Sequence, residues 1–347
     1  MIKRVTHISI LAFVVLCITG CDVHEWPDKP ERVSLYLDMH INTHITQWHH
    51  TIEGSTITEV SEGPTVDNII DSGHIRYVVQ AYPHGTMRSN MAVATEEFVF
   101  VRQIDNTYNS VEEISLPAGE YDLYVWADLM ESEKDLPQYN VNNFTDINIT
   151  NDYAAGNQYR DAFRGSTYTK VVSDITDKTP DTLRVEMHRP LAKIEFVSND
   201  LALFFKNQNF SFDTASDNVA TKSSLLEDYS VVCYYVGYLP DTYNIVTDRH
   251  TDSAVGVKFN SDIRILNNNE ASIAFDYVLV NERDSYISTQ LALLNKRGEI
   301  ISLSEVLDVP IKRDWHTIMR GKFLTSESQG GLGVDPNFDD EFNIVLP

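Results

Sequence analysis

The stretch VSLYLDMHIN, residues 33–42, alternates without a break: Leu35, Leu37, Met39 and Ile41 are apolar, and Tyr36, Asp38, His40 and Asn42 stand between them. Successive side chains of a β-strand point to opposite faces, so this pattern sets one row on a core and the other toward solvent. Runs of the same kind recur at 75–82, 98–102, 121–127, 183–187, 192–197, 229–235, 271–280, 287–294 and 317–324. Pro117-Ala118-Gly119, Leu239-Pro240-Asp241 and Lys296-Arg297-Gly298 punctuate them as turns. Many short strands joined by loops predict an all-β chain of stacked antiparallel sheets. Helical signals are confined to a short segment at 200–205, capped by Asn199, and to one turn at 159–163.

The chain has 347 residues, enough for two domains that each bury a core. A polar stretch at 173–180 precedes two adjacent strands, which places the join near residue 188 and predicts domains at 33–188 and 189–347. At 42% hydrophobic residues the chain is not disordered. Its 27 Lys and Arg against 51 Asp and Glu give a net charge of -24, which opposes a phosphate backbone and argues against a nucleic-acid partner.

The first residues address the compartment. Lys3 and Arg4 precede an apolar run at 8–18 that is too short to span a bilayer, and Ile18-Thr19-Gly20-Cys21 follows. This reads as a lipoprotein signal peptide at 1–20, cleaved between Gly20 and Cys21, with Cys21 taking the lipid. An ordinary secretory signal with an incidental Cys21 is the alternative. Residues 21–32, with Pro27, Pro30 and four acidic residues after Cys21, read as an extended tether. The acidic cluster resembles signals that send lipoproteins to the outer face of the outer membrane in anaerobic gut and oral bacteria, with the inner leaflet as the other location. Of three cysteines, Cys17 leaves with the signal and Cys21 is lipidated; Cys233, in an apolar run at 231–235, reads as core.

Chemistry-bearing patterns are sparse. His40, His44, His49 and His50 invite a metal reading, but residues four apart on a strand are about 13 Å apart. A shared ion therefore requires the strand to end at Asn42-Thr43. Asp335, Asn337 and Asp339 start a calcium-loop pattern that fails at Asp340, where glycine belongs, and at Leu346, where glutamate belongs. No nucleophile elbow, zinc-protease or phosphate-loop motif occurs; Gly330-Gly331-Leu332-Gly333 lacks the lysine that follows a phosphate loop. No catalytic residue, metal or cofactor is assigned. Trp26, Trp48, Trp126 and Trp315 either stack on sugars or lie in the core.

Several segments together resemble one family. They are CDVHEWPDKPE, PAGEYDLYVWAD, HRPLAKIEFVSND, YVGYLPDTYN, FDYVLVNE, VPIKRDWHTIMRGKFL and GGLGVDPNFDDEFNIVLP. In them the chain resembles the fimbrillin-like surface lipoproteins of anaerobic Gram-negative gut and oral bacteria, over nearly the whole chain after the signal. The resemblance implies two tandem transthyretin-like β-sandwich domains. It also implies strand exchange with a neighbouring subunit, for which the terminal segment Phe342, Asn343, Ile344, Val345 and Leu346 is the candidate. Stalk members lose a first strand by cleavage after an arginine. Here no Lys or Arg occurs between Val33 and Ile75, so a cut falls only at Arg32 or Arg76. This departs from the stalk pattern and favours a member that keeps its lipid. The expected role is a non-enzymatic anchor, accessory subunit or adhesin on the outer membrane, with other fimbrial subunits or a host or glycan surface as partners. A stand-alone glycan-binding module and a carboxylate-based hydrolase are the alternatives.

Overall fold

The computed structural model describes residues 31–88, 93–150, 153, 155–172, 180–210, 218–281 and 285–326. The first part of the chain forms β1 (Arg32–Ile41), β2 (His44–Glu53), β3 (Thr56–Asp67), β4 (His74–Pro83), β5 (Glu96–Gln103), β6 (Ser110–Pro117), β7 (Gly119–Met130), β8 (Tyr139–Asn140), β9 (Ile147–Ile149), β10 (Ala162–Val171) and β11 (Thr182–His188). The remainder forms β12 (Leu191–Ser198), β13 (Tyr229–Tyr235), β14 (Tyr238–Asn244), β15 (Arg249–Val255), β16 (Lys258–Ser261), β17 (Arg264–Ile265), β18 (Ala271–Leu279), β19 (Ser285–Asn295), β20 (Ile300–Leu303), β21 (Leu307–Ile311) and β22 (Trp315–Gly321). Two short helices, α1 (Leu201–Asn207) and α2 (Val219–Leu226), join them. The fold is all-β.

In β1 the alternation of the sequence becomes geometry: Leu35, Leu37, Met39 and Ile41 are buried and the residues between them are partly exposed. The strand sits in a seven-stranded sheet of order β5-β4-β7-β10-β11-β1-β6. Arg102 of β5 pairs with Glu112 of β6, so the two outer strands of this sheet approach each other and close around the core that β1 helps fill. A second sheet has the order β17-β18-β12-β22-β2-β3. It packs on a third, β16-β13-β19-β20 with β21 beside β19, over a core that includes Ile194, Phe196, Cys233, Leu291 and Met319. A small fourth sheet runs β15-β14-β9-β8.

Most pairings are antiparallel, but β1–β11, β2–β22 and β12–β22 run parallel. The first two sheets are therefore mixed, and the third and fourth are antiparallel as the sequence predicted. The reason lies at Asn42-Thr43: β1 and β2 are consecutive in the chain yet enter different sheets, so neither forms a hairpin with the other. Between His188 and Leu191 the chain likewise passes from the first sheet to the second. The hairpin β2–β3 joins strands from the second half of the chain, and β9 pairs with β14.

A polar seam and a third core tie the sheets together. Arg189, wholly buried between β11 and β12, donates from Nε and Nη2 to the two oxygens of Asp161 at 2.7 and 2.9 Å. Its Nη1 reaches Asp314 Oδ1 at 3.1 Å and the His44 carbonyl at 3.2 Å. Arg160 pairs with Asp276 at 3.1 Å, and the Tyr235 hydroxyl donates to the same carboxylate at 2.5 Å. Around these lie Val78, Trp126, Phe144, Leu191, Tyr243 and Tyr277 in one apolar cluster. Alternate residues of β7 serve both sides: Leu123, Val125 and Ala127 face the first core, Trp126 the third.

Three local expectations change. The helix at 201–207 is capped at Asp200, not Asn199, and the Asp200 carboxylate makes no capping bond. It accepts instead from the Thr325 amide at 2.9 Å and the Thr325 hydroxyl at 2.6 Å, which fastens the chain after β22. The turn expected at 159–163 is a shorter 3-10 turn at Gln158–Arg160, because Ala162 already starts β10. Leu239-Pro240-Asp241 is no turn. It lies inside β14, where a bulge between Pro240 and Thr242 absorbs the missing proline N–H.

Candidate functional site

β3 is the feature that stands open. In Thr56–Asp67 every residue except Gly63 is exposed, Val60 to 53%, and the strand pairs only with β2. It is the outer strand of the second sheet, so its far edge carries no pairing strand among the described residues. Such an edge presents a row of N–H and C=O groups to any incoming strand. Pro64 and the acidic Glu59, Glu62 and Asp67 blunt it in part, but Thr56–Ser61 holds no proline and no lysine. The hairpin forms because Gly54, at φ 60°, opens the two-residue turn Gly54-Ser55 that the right-handed twist of the strands prefers. The other outer strand of this sheet, β17, spans only two residues.

Gly20, Cys21 and Phe342, Asn343, Ile344, Val345 and Leu346 lie outside the described residues, as do the Asp335–Asp339 pattern and Trp26. Arg32 is exposed at the head of β1 and pairs with Glu96 at 2.7 Å, while Arg76 inside β4 is held by Asp128. A cut at Arg32 leaves β1 in its sheet.

The histidines are divided. His40 in β1 lies 2.9 Å from Asp38, and His44, heading β2, lies 3.5 Å from Asp67. The strand does end at Asn42-Thr43, but the two halves belong to different sheets. Among the described residues no group of three His, Cys, Asp or Glu side chains is arranged to hold a metal. Among the described residues the tryptophans form no open row. Trp126 is fully buried, and Trp48 and Trp315 are half-buried with rings 5.4 Å apart at 71°, the Lys312 ammonium lying 4.5 Å from the Trp315 ring centre.

One polar cluster went unforeseen. Glu195 on β12 accepts from the Ser272 hydroxyl on β18 and lies 2.9 Å from His316 Nε2 on β22. Burial pushes this carboxyl up, but His316 and Ser272 outweigh it and hold it down to about 2. Burial in turn lowers His316. Ser272 donates to the carboxylate and not to the imidazole, so hydroxyl and base are not aligned as a nucleophile pair. Burial pushes the Cys233 thiol well up, which suits a core residue and not a thiolate. The wholly buried Asp128, Asp161 and Asp276 each face an arginine within the seam, where charge pairing serves packing. Only register could have revealed the Glu195 cluster: Lys193 faces His316 and Glu195 faces Ile318 across strands 120 residues apart in the chain, roughly, a distance no local pattern reports.

A family of unknown function, DUF6562, matches residues 30–347. The chain belongs to this family. No curated protein matches it in sequence. Among solved structures it is similar to a "putative adhesin" from Bacteroides ovatus, with 11% identity, 83% of this chain and 87% of that chain covered, and a TM-score of 0.39. It is also similar to the fimbrial anchor protein Mfa2 of Porphyromonas gingivalis, with 10% identity, 78% and 82% covered, and a TM-score of 0.33. The tip fimbrial protein Mfa3 of Porphyromonas gingivalis, with a C-terminal truncation, gives 12% identity, 80% and 81% covered, and a TM-score of 0.35. Among the described residues no helix is long and apolar enough to cross a membrane.

Proposed function

We propose that this chain is a cell-surface, fimbria-associated adhesin or accessory subunit that pairs an edge strand with a partner subunit. The observation that carries this reading is β3, an exposed strand of 12 residues whose outer edge is open among the described residues. The terminal segment 342–346 is uncharged, so laying it along Thr56–Ser61 of another copy or subunit sets no like charge against Glu59. Cys21 holds the protein to the outer membrane through its lipid, and residues 21–32 carry the folded part away from the surface. The role requires no catalysis: the buried carboxylates are engaged by arginines, as in Asp161 and Asp276, or by other side chains, as in Glu195 and Asp200, and binding follows from backbone pairing.

The division at residue 188 into two sandwich domains belongs to the same proposal. The hairpin β2–β3 is then an arm that the first domain lends to the sheet of the second.

Fractionation of cells tests the anchor. Cys21→Ala is expected to move the protein from the membrane to the soluble fraction; retention of that variant in the membrane overturns the lipid anchor.

A further inference from the structure

Across β8, β9 and their flanks runs an open groove of about 480 Å³, within the usual size of small-ligand sites. Its polar lining is Asn140, Asn142, Asn148 and Thr150, and Pro137 and Ile149 add apolar surface. Among the described residues Arg76 is the one charged residue that lines it. That charge is already matched: Nε and Nη2 donate to Asp128 at 2.9 and 2.5 Å, and Nη2 reaches the Tyr139 carbonyl at 3.0 Å. Asp128 is wholly buried, so the guanidinium is fixed in place and the pair is neutral.

The amides are arranged as both donors and acceptors. Asn140 Oδ1 accepts from the Asn142 amide at 3.2 Å, which leaves its NH₂ group for a ligand. Asn148 spends its NH₂ on the Asp146 carbonyl at 3.3 Å, which leaves its oxygen. The Thr150 hydroxyl donates to the Pro137 carbonyl and keeps its lone pairs. Asn142 is exposed, and among the described residues its side chain has no hydrogen-bond partner. Neighbouring sugar hydroxyls each donate and accept, and the ring carries a C–H face; amides beside Pro137 and Ile149 match both properties. Among the described residues an anion finds no unmatched cation here, and a nucleobase finds no exposed aromatic ring to stack on.

We propose that this groove binds an uncharged saccharide, with Asn140, Asn142, Asn148 and Thr150 on its hydroxyls. The inference does not depend on strand pairing by β3, which lies on another sheet.

The purified full chain, applied to an array of neutral oligosaccharides and their uronic-acid counterparts, tests it. A neutral member is expected to bind with a Kd on the order of 1 mM, as an open groove with few contacts allows. In titration of that sugar, Asn142→Ala and Asn148→Ala are each expected to weaken binding about five- to tenfold, the worth of one hydrogen bond. The Asn142 side chain has no hydrogen bond among the described residues to lose, and its backbone bond to Asn140 survives the change to alanine, so the variant folds as the parent does. Val60→Lys on β3 is expected to bind the sugar unchanged, which separates this site from the strand-pairing reading. No binding of any neutral sugar, tighter binding of the uronic-acid counterpart, or wild-type affinity in both asparagine variants overturns the proposal.

Discussion

Glu195 and His316 show how buried polar groups make this fold sensitive to acid. His49, His50 and His316 are held below the ordinary histidine range by burial. Neither ring nitrogen of His50 has a hydrogen-bond partner to favour the charged form. The folded chain keeps these rings neutral, while the unfolded chain takes up protons as pH falls through about 6.5. Stability therefore declines below that pH. A second loss follows at lower pH: Glu195 has an ordinary value of 4.5 and about 2 in the fold, so its contribution is full above the first value and disappears toward the second. Urea midpoints measured from about pH 8 to pH 4 are expected to hold level at first and then fall below about pH 6.5. A level profile down to about pH 5 contradicts the neutral histidines. None of this was legible in the sequence. In the sequence His49 and His50 carry no sign of burial, because the strand that pairs with theirs comes from residues 315–321, far along the chain.

At the scale of elements, β1 was legible because its period of two is strict, and the turn at Lys296-Arg297-Gly298 because Gly298 takes φ 78°. β3 was missed although a turn signal was present: Gly54-Ser55 forms a two-residue hairpin turn. Its residues are too polar for a hydrophobic pattern to register, which is also why the strand stands in solvent. Leu239-Pro240-Asp241 misled for the opposite reason, since a bulge lets proline stay within a strand. The openness of β3 gives a sharp prediction. Val60 is 53% exposed, so Val60→Lys should change folding stability by no more than about 0.5 kcal/mol. A lysine on an exposed edge opposes strand addition. Co-purification of partner subunits is expected to drop severalfold in that variant while its urea midpoint stays put. Undiminished co-purification means that another surface makes the contact.

For the whole molecule, the seam decides how the halves behave. Arg189 and Asp161 are both wholly buried, and removing one partner of such a pair strands the other charge at a cost of about 3–5 kcal/mol. The apolar cluster around Trp126 and Tyr277 continues the contact, and β2, β3 and β9 interleave first-half strands with second-half sheets. Halves coupled in this way are expected to unfold together, giving one calorimetric transition whose van't Hoff and calorimetric enthalpies agree. Two separated transitions contradict that coupling. The all-β class was readable from composition and alternation, and the exchange of strands between halves was not, because pairing partners lie hundreds of residues apart, in round terms, and leave no local trace.

The central claim is strand pairing between subunits at the cell surface. Strand-exchanged assemblies persist kinetically, since a whole strand must be withdrawn before subunits separate. The direct measurement is an immunoblot of outer-membrane fractions run in SDS with and without boiling. The account predicts a high-mass ladder in the unboiled lane that collapses to one band on boiling. A single band near the monomer mass in both lanes contradicts it.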